Sequence, residues 1–410
     1  MNPLLLTHFT ATSCIGRGLD ATLQALCEQR AGLTRCNFER AALDTWIGAV
    51  DGLDEPVRDD LREFDCRNHR LAQLGLQQDG FAAAVEAAAA RYGAQRIGVF
   101  MGTSTSGILE TELAYQRRDP QNGGLPADFR YAQTHNPYAL AAFVRAYFAL
   151  RGPAMSISSA CSSGSKVFGS ARRMLEAGLI DAAVVGGVDS LCLTTLYGFN
   201  SLELVSTQPC KPFDVARKGI SVGEAAAFAL IERPHDAARH APALIDEATL
   251  LLGIGESTDA YHMSSPHPEG LGAQLAMQAA LAEAKLDARD IDYINLHGTA
   301  TPSNDASESR AVNALFDGTP CSSTKGATGH TLGAAGTLEA VIAALALRHQ
   351  FIPAGVQTTN PDPGLGLNYV LASRPARLRA VLSNSFGFGG TNCSLILGRA
   401  DSAVIEGLAS

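Results

Sequence analysis

Four stretches of this chain bring nucleophilic, imidazole, ammonium and glycine residues together at close spacing. The first, Ser158-Ser159-Ala160-Cys161-Ser162-Ser163-Gly164-Ser165, sets a cysteine among small residues where a helix begins. The positive end of that helix would stabilise a Cys161 thiolate, and the exposed backbone N–H would serve an oxyanion. An inert cysteine at a close helix contact is the alternative reading of that stretch alone. In the second, His297 ends an apolar strand and leads through Gly298-Thr299-Ala300-Thr301 into a helix bearing Asp305 and Glu308. Loops at the carboxyl ends of strands are where α/β sheets place ligands, although a lone histidine there is more often structural. In the third, Lys325 and His330 flank a glycine turn that opens a very small-residue helix, Leu332-Gly333-Ala334-Ala335-Gly336. Close backbone packing is the plain alternative. In the fourth, Asn384-Ser385-Phe386-Gly387-Phe388-Gly389-Gly390-Thr391-Asn392, glycines on both sides of Phe388 free the backbone to turn an N–H toward a site. A phosphate loop is the rival there, but no G-x-x-x-x-G-K-S/T run is present.

The rest of the chain must position these groups. Its 410 residues are 46% hydrophobic and 18% charged, with a mean hydropathy of +0.05. Charge is therefore below the roughly 25% of soluble domains, and the low value points to a large interior. At ~150 residues per domain, the length fits two or three units or one duplicated one. A net charge of −9 argues against nucleic acid and anionic membranes as partners, since both are bound by clustered Lys and Arg. Nine cysteines, an odd number without any C-x-x-C pair, argue against zinc knuckles and a disulfide framework and for a reducing compartment. The N-terminus has no basic leader and reads as a strand, and no apolar run approaches ~18 residues. A soluble, cytoplasmic protein is expected.

Short apolar runs alternate with alanine-rich helical stretches, the pattern of an α/β protein with helix-covered sheets. Strands are expected over 96–101, 179–188, 225–231 and 291–296. Helices are expected over 20–29, 80–92, 138–150, 163–177, 272–284, 307–315 and 333–349. A linker near 232–243 would separate two halves, 1–235 with the cysteine and 236–410 with both histidines. The halves repeat one plan, a small-residue turn opening a helix followed by apolar strands. That duplication would place Cys161 and the 328–330 loop near a central helix pair.

In this order, Cys-Ser-Ser-Gly, His-Gly-Thr-x-Thr-Pro, Lys-x-x-x-Gly-His-x-x-Gly-Ala-Ala-Gly and Asn-Ser-Phe-Gly-Phe-Gly-Gly-Thr-Asn resemble the signature set of the elongating β-ketoacyl-(acyl carrier protein) synthases. The resemblance spans essentially the whole chain and is strongest from Gly152 to Asn392. It implies a thiolase-like fold, a five-layered α/β/α/β/α sandwich of two duplicated halves. Asp189-Ser190-Leu191-Cys192-Leu193-Thr194-Thr195-Leu196-Tyr197-Gly198-Phe199 is similar to the synthases of aryl-polyene clusters.

The resemblance implies decarboxylative Claisen condensation, without a metal or organic cofactor. Cys161 would be the acyl-accepting nucleophile, a soft, low-pKa thiolate suited to thioester exchange. His297 and His330 would donate N–H groups to the malonyl enolate, and the N–H groups of Cys161 and Phe388 would meet the second oxyanion. Lys325 would support the histidine loop beside Glu308, with Asp305 in the same group. Thr299, Thr301, Thr105 and Phe386 would contact substrate and its pantetheine arm, Thr105 at the mouth of the acyl pocket, while Phe388 gates that pocket. The paired histidines separate this pattern from initiating synthases, which use His and Asn, and the Phe-Gly-Phe-Gly-Gly loop separates it from thiolases. A Cys–His hydrolase would leave the second histidine unused. The implied partners are acyl- and malonyl-loaded acyl carrier protein, with a homodimer or a heterodimer with a non-catalytic homologue as the assembly. An acidic carrier needs a basic docking face, for which Arg62, Arg67, Arg70, Lys211, Arg217 and Lys218 are the candidates, with a solvated role, or a structural one for Arg217, as the alternative for each.

Overall fold

The apolar runs become the strands of one eleven-stranded sheet among residues 3–234, 236 and 248–400, which the computed structural model describes. The first half contributes β1 (Leu4–Ser13), β2 (Ile97–Gly102), β3 (Ala154–Ile157), β4 (Ala182–Asp189) and β5 (Ala225–Glu232). The second contributes β6 (Thr249–Thr258), β7 (Tyr293–Asn295), β8 (Cys321–Ser322), β9 (Ala380–Gly387) and β10 (Thr391–Arg399). Their spatial order is β3-β2-β4-β5-β1 joined to β6-β10-β9-β7-β8, with the two-residue strand Gly16–Arg17 on β1. In both halves the second strand is parallel to the third and fourth, and the fifth is antiparallel to the fourth and first. The duplication is thus literal at the level of topology. The halves meet where Leu4 pairs with Leu251 and Leu6 with Thr249. The predicted linker at 232–243, and with it the boundary between 235 and 236, falls largely outside the described residues.

Helices α1 (Ser163–Glu176) and α4 (Ala335–His349) lie side by side between the two parts of the sheet. Residues 335–347 of α4 are buried all round, as expected of a helix with protein on every side. Its apolar stretch Leu332–His349 is 89% buried inside the protein, so its length and composition are those of a core helix. The small residues near its start serve close approach. A Cβ on Gly336 would lie 2.6 Å from the Ser165 nitrogen, and one on Gly164 would lie 2.7 Å from the Gly333 oxygen. Helices Arg67–Leu76, Phe81–Tyr92 and Tyr138–Tyr147 cover the outer face of the first half. Helices α2 (Leu271–Ala284) and α3 (Pro302–Leu315) cover that of the second, completing the α/β/α/β/α sandwich.

Element ends differ from the sequence expectation for identifiable reasons. Helix α3 starts at Pro302 rather than 307, because Thr301 caps it by accepting from the Asn304 N–H and Pro302 is preset for a first turn. Helix α4 starts at Ala335 because a 3₁₀ turn, Leu332–Ala334, precedes it. Helix Arg67–Leu76 was not expected, since its polar first turn hides the apolar stripe that it buries.

Candidate active site

Cys161, His297, Lys325 and Phe388 sit where strands of the duplicated sheet run out, and His330 follows the short helix Lys325–Thr328. Between β3 and α1 the chain turns sharply at Ala160, which has a positive φ of 52°, and presents Cys161. The Ser163 hydroxyl braces this turn, donating to the Ala160 carbonyl at 2.6 Å and accepting from the Ser159 N–H at 2.9 Å. The loop after β7 presents His297, and Glu308 on α3 holds it there. Its carboxylate accepts from the N–H groups of His297 and Gly298, both at 2.8 Å, and from Asn384 on β9 at 3.2 Å. Asp305 does the same for the following loop, accepting from Phe213 at 2.8 Å and Ala300 at 3.2 Å. Burial pushes Asp305 up to about 6 and Glu308 up to about 7.

The two histidines converge from the same half onto the cysteine of the other. His330 Nε2 lies 3.0 Å from Cys161 Sγ, and the His297 ring meets the His330 ring edge-on at 5.3 Å. Lys325, 1% exposed, donates from Nζ to the His297 carbonyl at 2.6 Å, faces His297 Nδ1 at 3.4 Å, and pairs with Glu339 of α4. An ammonium has protons to give and no lone pair. Nδ1 of His297 is therefore the acceptor, which leaves its proton on Nε2 as the outward donor. Burial, with the Lys325 charge as the second cause, holds both imidazoles well below their usual range, so both are neutral at pH 7.

These groups line a cleft with about 600 Å³ of free space that opens to solvent. Cys161, His297, Thr299, Thr301, His330, Phe386 and Phe388 all border it, together with Phe199, Leu204, Ile220 and Asp259. The Thr299 and Thr301 hydroxyls bond each other at 2.9 Å. Phe386 faces the His297 ring at 5.9 Å, and Phe388 rests against Phe199 at 5.7 Å. Gly389, at a positive φ of 79°, lets the chain turn so that the Phe388 N–H is directed to the Cys161 sulfur.

The family comparison is decisive. Residues 2–237 match the β-ketoacyl synthase N-terminal domain and residues 249–359 match the C-terminal domain of the same family. The chain belongs to the β-ketoacyl synthase family. As such it is an acyltransferase that condenses acyl units to 3-oxoacyl products in fatty-acid or polyketide biosynthesis. It is 31% identical to the 3-oxoacyl-[acyl-carrier-protein] synthase 2 of Vibrio cholerae over 97% of this chain and 99% of that protein. Among solved structures it is similar to the ketosynthase ApeO, in complex with its chain length factor ApeC, from Xenorhabdus doucetiae. That likeness has a TM-score of 0.86 and 38% identity, over 97% of this chain and 98% of that one. A β-ketoacyl synthase from Burkholderia phymatum superposes with a TM-score of 0.87 at 30% identity, over 98% of this chain and 100% of that one.

Several sequence expectations for this synthase need correction. Lys325 pairs with Glu339, not with Glu308, whose carboxylate is occupied by backbone N–H groups. Cys161 is not a low-pKa thiol at rest: burial pushes it up to about 12, against the opposing pull of Lys325 and the Phe388 N–H. Thr105 does not border the cleft; its hydroxyl and its N–H both donate to the buried Asp189 at 2.9 Å. Three expected docking cations are committed elsewhere. Arg67 is bound twice by the fully buried Glu224, Arg70 pairs with Asp65, and Arg217 pairs with Asp362. Arg62 pairs with Asp59 on the surface. Glu339 is a site residue that the sequence reading leaves without a role; its signal is a single acidic residue inside the buried apolar stretch 335–347.

Proposed function

We propose that Cys161 carries the growing acyl chain and that His297 and His330 activate the extender, with acyl carrier protein delivering both substrates. His330 takes the Cys161 proton at Nε2 as sulfur attacks the acyl thioester and keeps it as an N–H donor until the Cys161 thiolate is released again, while solvent protonates the departing pantetheine thiolate. The malonyl C–CO₂ bond then breaks, carbon dioxide leaves, and its electron pair forms an enolate whose oxygen meets the two imidazole N–H groups. The enolate carbon attacks the Cys161 thioester, whose oxyanion meets the N–H groups of Cys161 and Phe388, and the thiolate leaves and is reprotonated.

The observation that carries this reading is the 3.0 Å contact of His330 Nε2 with Cys161 Sγ, beside a second imidazole whose Nδ1 faces an ammonium. A neutral imidazole at that distance is what a buried thiol needs, since with a value of about 12 it ionises hardly at all on its own at neutral pH. Incubation with acyl carrier protein bearing an acyl chain tests it. Mass spectrometry of the digested enzyme should find the acyl group on the Cys161 peptide, and acyl groups on any other residue would contradict the assignment.

The proposal extends to assembly and pathway. We place this chain as the catalytic member of a heterodimer with a non-catalytic homologue, in an aryl-polyene-type pathway of the cytoplasm. The 38% identity to ApeO, a ketosynthase found with its chain length factor, supports the first part, as nine free cysteines support a reducing setting. Light scattering on the chain alone tests the pairing. A homodimer with full condensing activity would overturn it.

A further inference from the structure

Beside the reacting groups lies a carboxylate that the condensation does not use. Asp189, at the end of β4, is 0% exposed and accepts from six neutral donor groups. Five come from the loop after β2: the Thr103 hydroxyl at 2.6 Å, the N–H groups of Ser104 and Thr105 at 2.9 Å, the Thr105 hydroxyl at 2.9 Å, and the Ser104 hydroxyl. The sixth crosses to the other half of the molecule, where the Gly333 N–H donates to Oδ2 at 2.6 Å. Burying a carboxylate is tolerable only when its oxygens are saturated in this way. Such a saturated anion makes a rigid pin between the segments that supply its donors.

Those segments surround the reacting pair. Gly333 lies three residues after His330, and between them Leu332 has a positive φ of 52°, a conformation a leucine keeps only where its surroundings impose it. Gly333 has no room to move: a Cβ there would lie 2.7 Å from both Asp189 Oδ2 and the Ser104 nitrogen. The start of α1 closes the junction, because a Cβ on Gly102 would lie 2.7 Å from the Gly164 nitrogen and one on Gly164 would lie 2.7 Å from the Gly333 oxygen. The helix that follows Cys161, the 103–105 loop and the turn after His330 therefore meet at one carboxylate.

We propose that Asp189 is a positioning residue for the condensation, pinning the Leu332–Ala334 turn to the first half so that His330 Nε2 stays at the Cys161 sulfur. This rests on the roles given above to Cys161 and His330. A charge effect alone has the opposite sign, because the Asp189 anion opposes ionisation of Cys161 and its removal would ease thiolate formation.

Full-length Asp189→Asn and Ser104→Ala test the proposal, each checked for folding by circular dichroism and thermal melting. Ser104→Ala deletes one donor to Asp189 and a second acceptor of the Gly333 N–H, which reaches the Ser104 hydroxyl at 3.0 Å. For Asp189→Asn, condensation kcat should fall about 30-fold with KM nearly unchanged, in line with the cost of misplacing a reacting group by an ångström or less. Iodoacetamide alkylation of Cys161 at pH 7 should slow by about fivefold as His330 loses its place as base. Ser104→Ala should show the same pattern at about threefold in kcat. Alkylation faster than wild type, or unchanged kcat in a folded variant, would overturn the proposal. If Asp189→Asn does not fold, Ser104→Ala decides by the same criteria. A wild-type enzyme that does not condense would instead count against the roles of Cys161 and His330.

Discussion

Lys325→Met tests most sharply how the histidine pair is held. The Lys325 ammonium makes three contacts in a position 1% exposed: the His297 carbonyl, His297 Nδ1 and Glu339. Methionine keeps the length and removes all three. Removing one partner of a buried ion pair costs about 3–5 kcal/mol. The lower end applies here, because burial already pushes Glu339 up to about 7 with the cation present, and without it the carboxyl takes up a proton at neutral pH. A stability loss of about 3 kcal/mol in urea unfolding is expected. The catalytic loss is separate. With no cation at Nδ1, the His297 ring is free to put its proton on either nitrogen, and losing one oxyanion donor costs about 10²–10³ in rate. The assay is malonyl-carrier decarboxylation in a Cys161→Gln background, which isolates the histidine step from acyl transfer. Lys325→Met should lower it about 100-fold. The double variant Lys325→Met/Glu339→Leu should regain most of the stability and none of the decarboxylation, since an apolar pair can replace a buried ionic one. Decarboxylation within about threefold of the parent in a folded Lys325→Met protein would refute the reasoning, being far less than the loss of an oxyanion donor.

Three further outcomes are expected. With the Cys161 thiol pushed up to about 12, its alkylation rate in a His330→Ala enzyme should climb about tenfold per pH unit through pH 9, and a plateau near pH 7 would contradict the burial argument. Glu308 has a folded value raised to about 7 against 4.5, so its contribution to stability is fully present below 4.5 and is lost as pH rises through 7. The stability deficit of Glu308→Gln should therefore shrink by about 3 kcal/mol from pH 4.5 to pH 7, and a pH-independent deficit in denaturant melts would contradict it. Lys211 and Lys218 form no ion pair among the described residues, so Lys211→Glu/Lys218→Glu should raise KM for carrier-linked substrate about fivefold without loss of kcat, and an unchanged KM would exclude this face for docking.

What was legible in the sequence follows from how local each determinant is. Cys161, His297 and Phe388 announce themselves because the glycines and small residues that shape their turns stand beside them in the chain. The five-layered sandwich came only with the family resemblance, while the α/β class with helix-covered sheets was legible from alternating apolar runs and the duplication from two small-residue helix starts. Long-range pairings were not. Arg67 looks like a docking cation until Glu224 arrives from just before β5, 157 residues away, and Thr105 looks like a pocket residue until Asp189 arrives from β4. The thiol's resting state is not legible in the sequence because a helix start favours the thiolate while burial opposes it, and the extent of burial is a property of the assembled halves. Glu339 shows the middle case: a lone acidic residue in the buried stretch 335–347 signals a partner, but only the fold shows that Lys325 is it.

The most direct test of the account is a single reaction of wild type and Cys161→Ala with acyl- and malonyl-loaded acyl carrier protein, following carbon dioxide and the carrier-bound product by mass spectrometry. The wild-type enzyme should release carbon dioxide and form the 3-oxoacyl product in equal amounts, and Cys161→Ala should form no 3-oxoacyl product. Condensation that survives in Cys161→Ala, or a wild-type enzyme that yields only free acid, would contradict it.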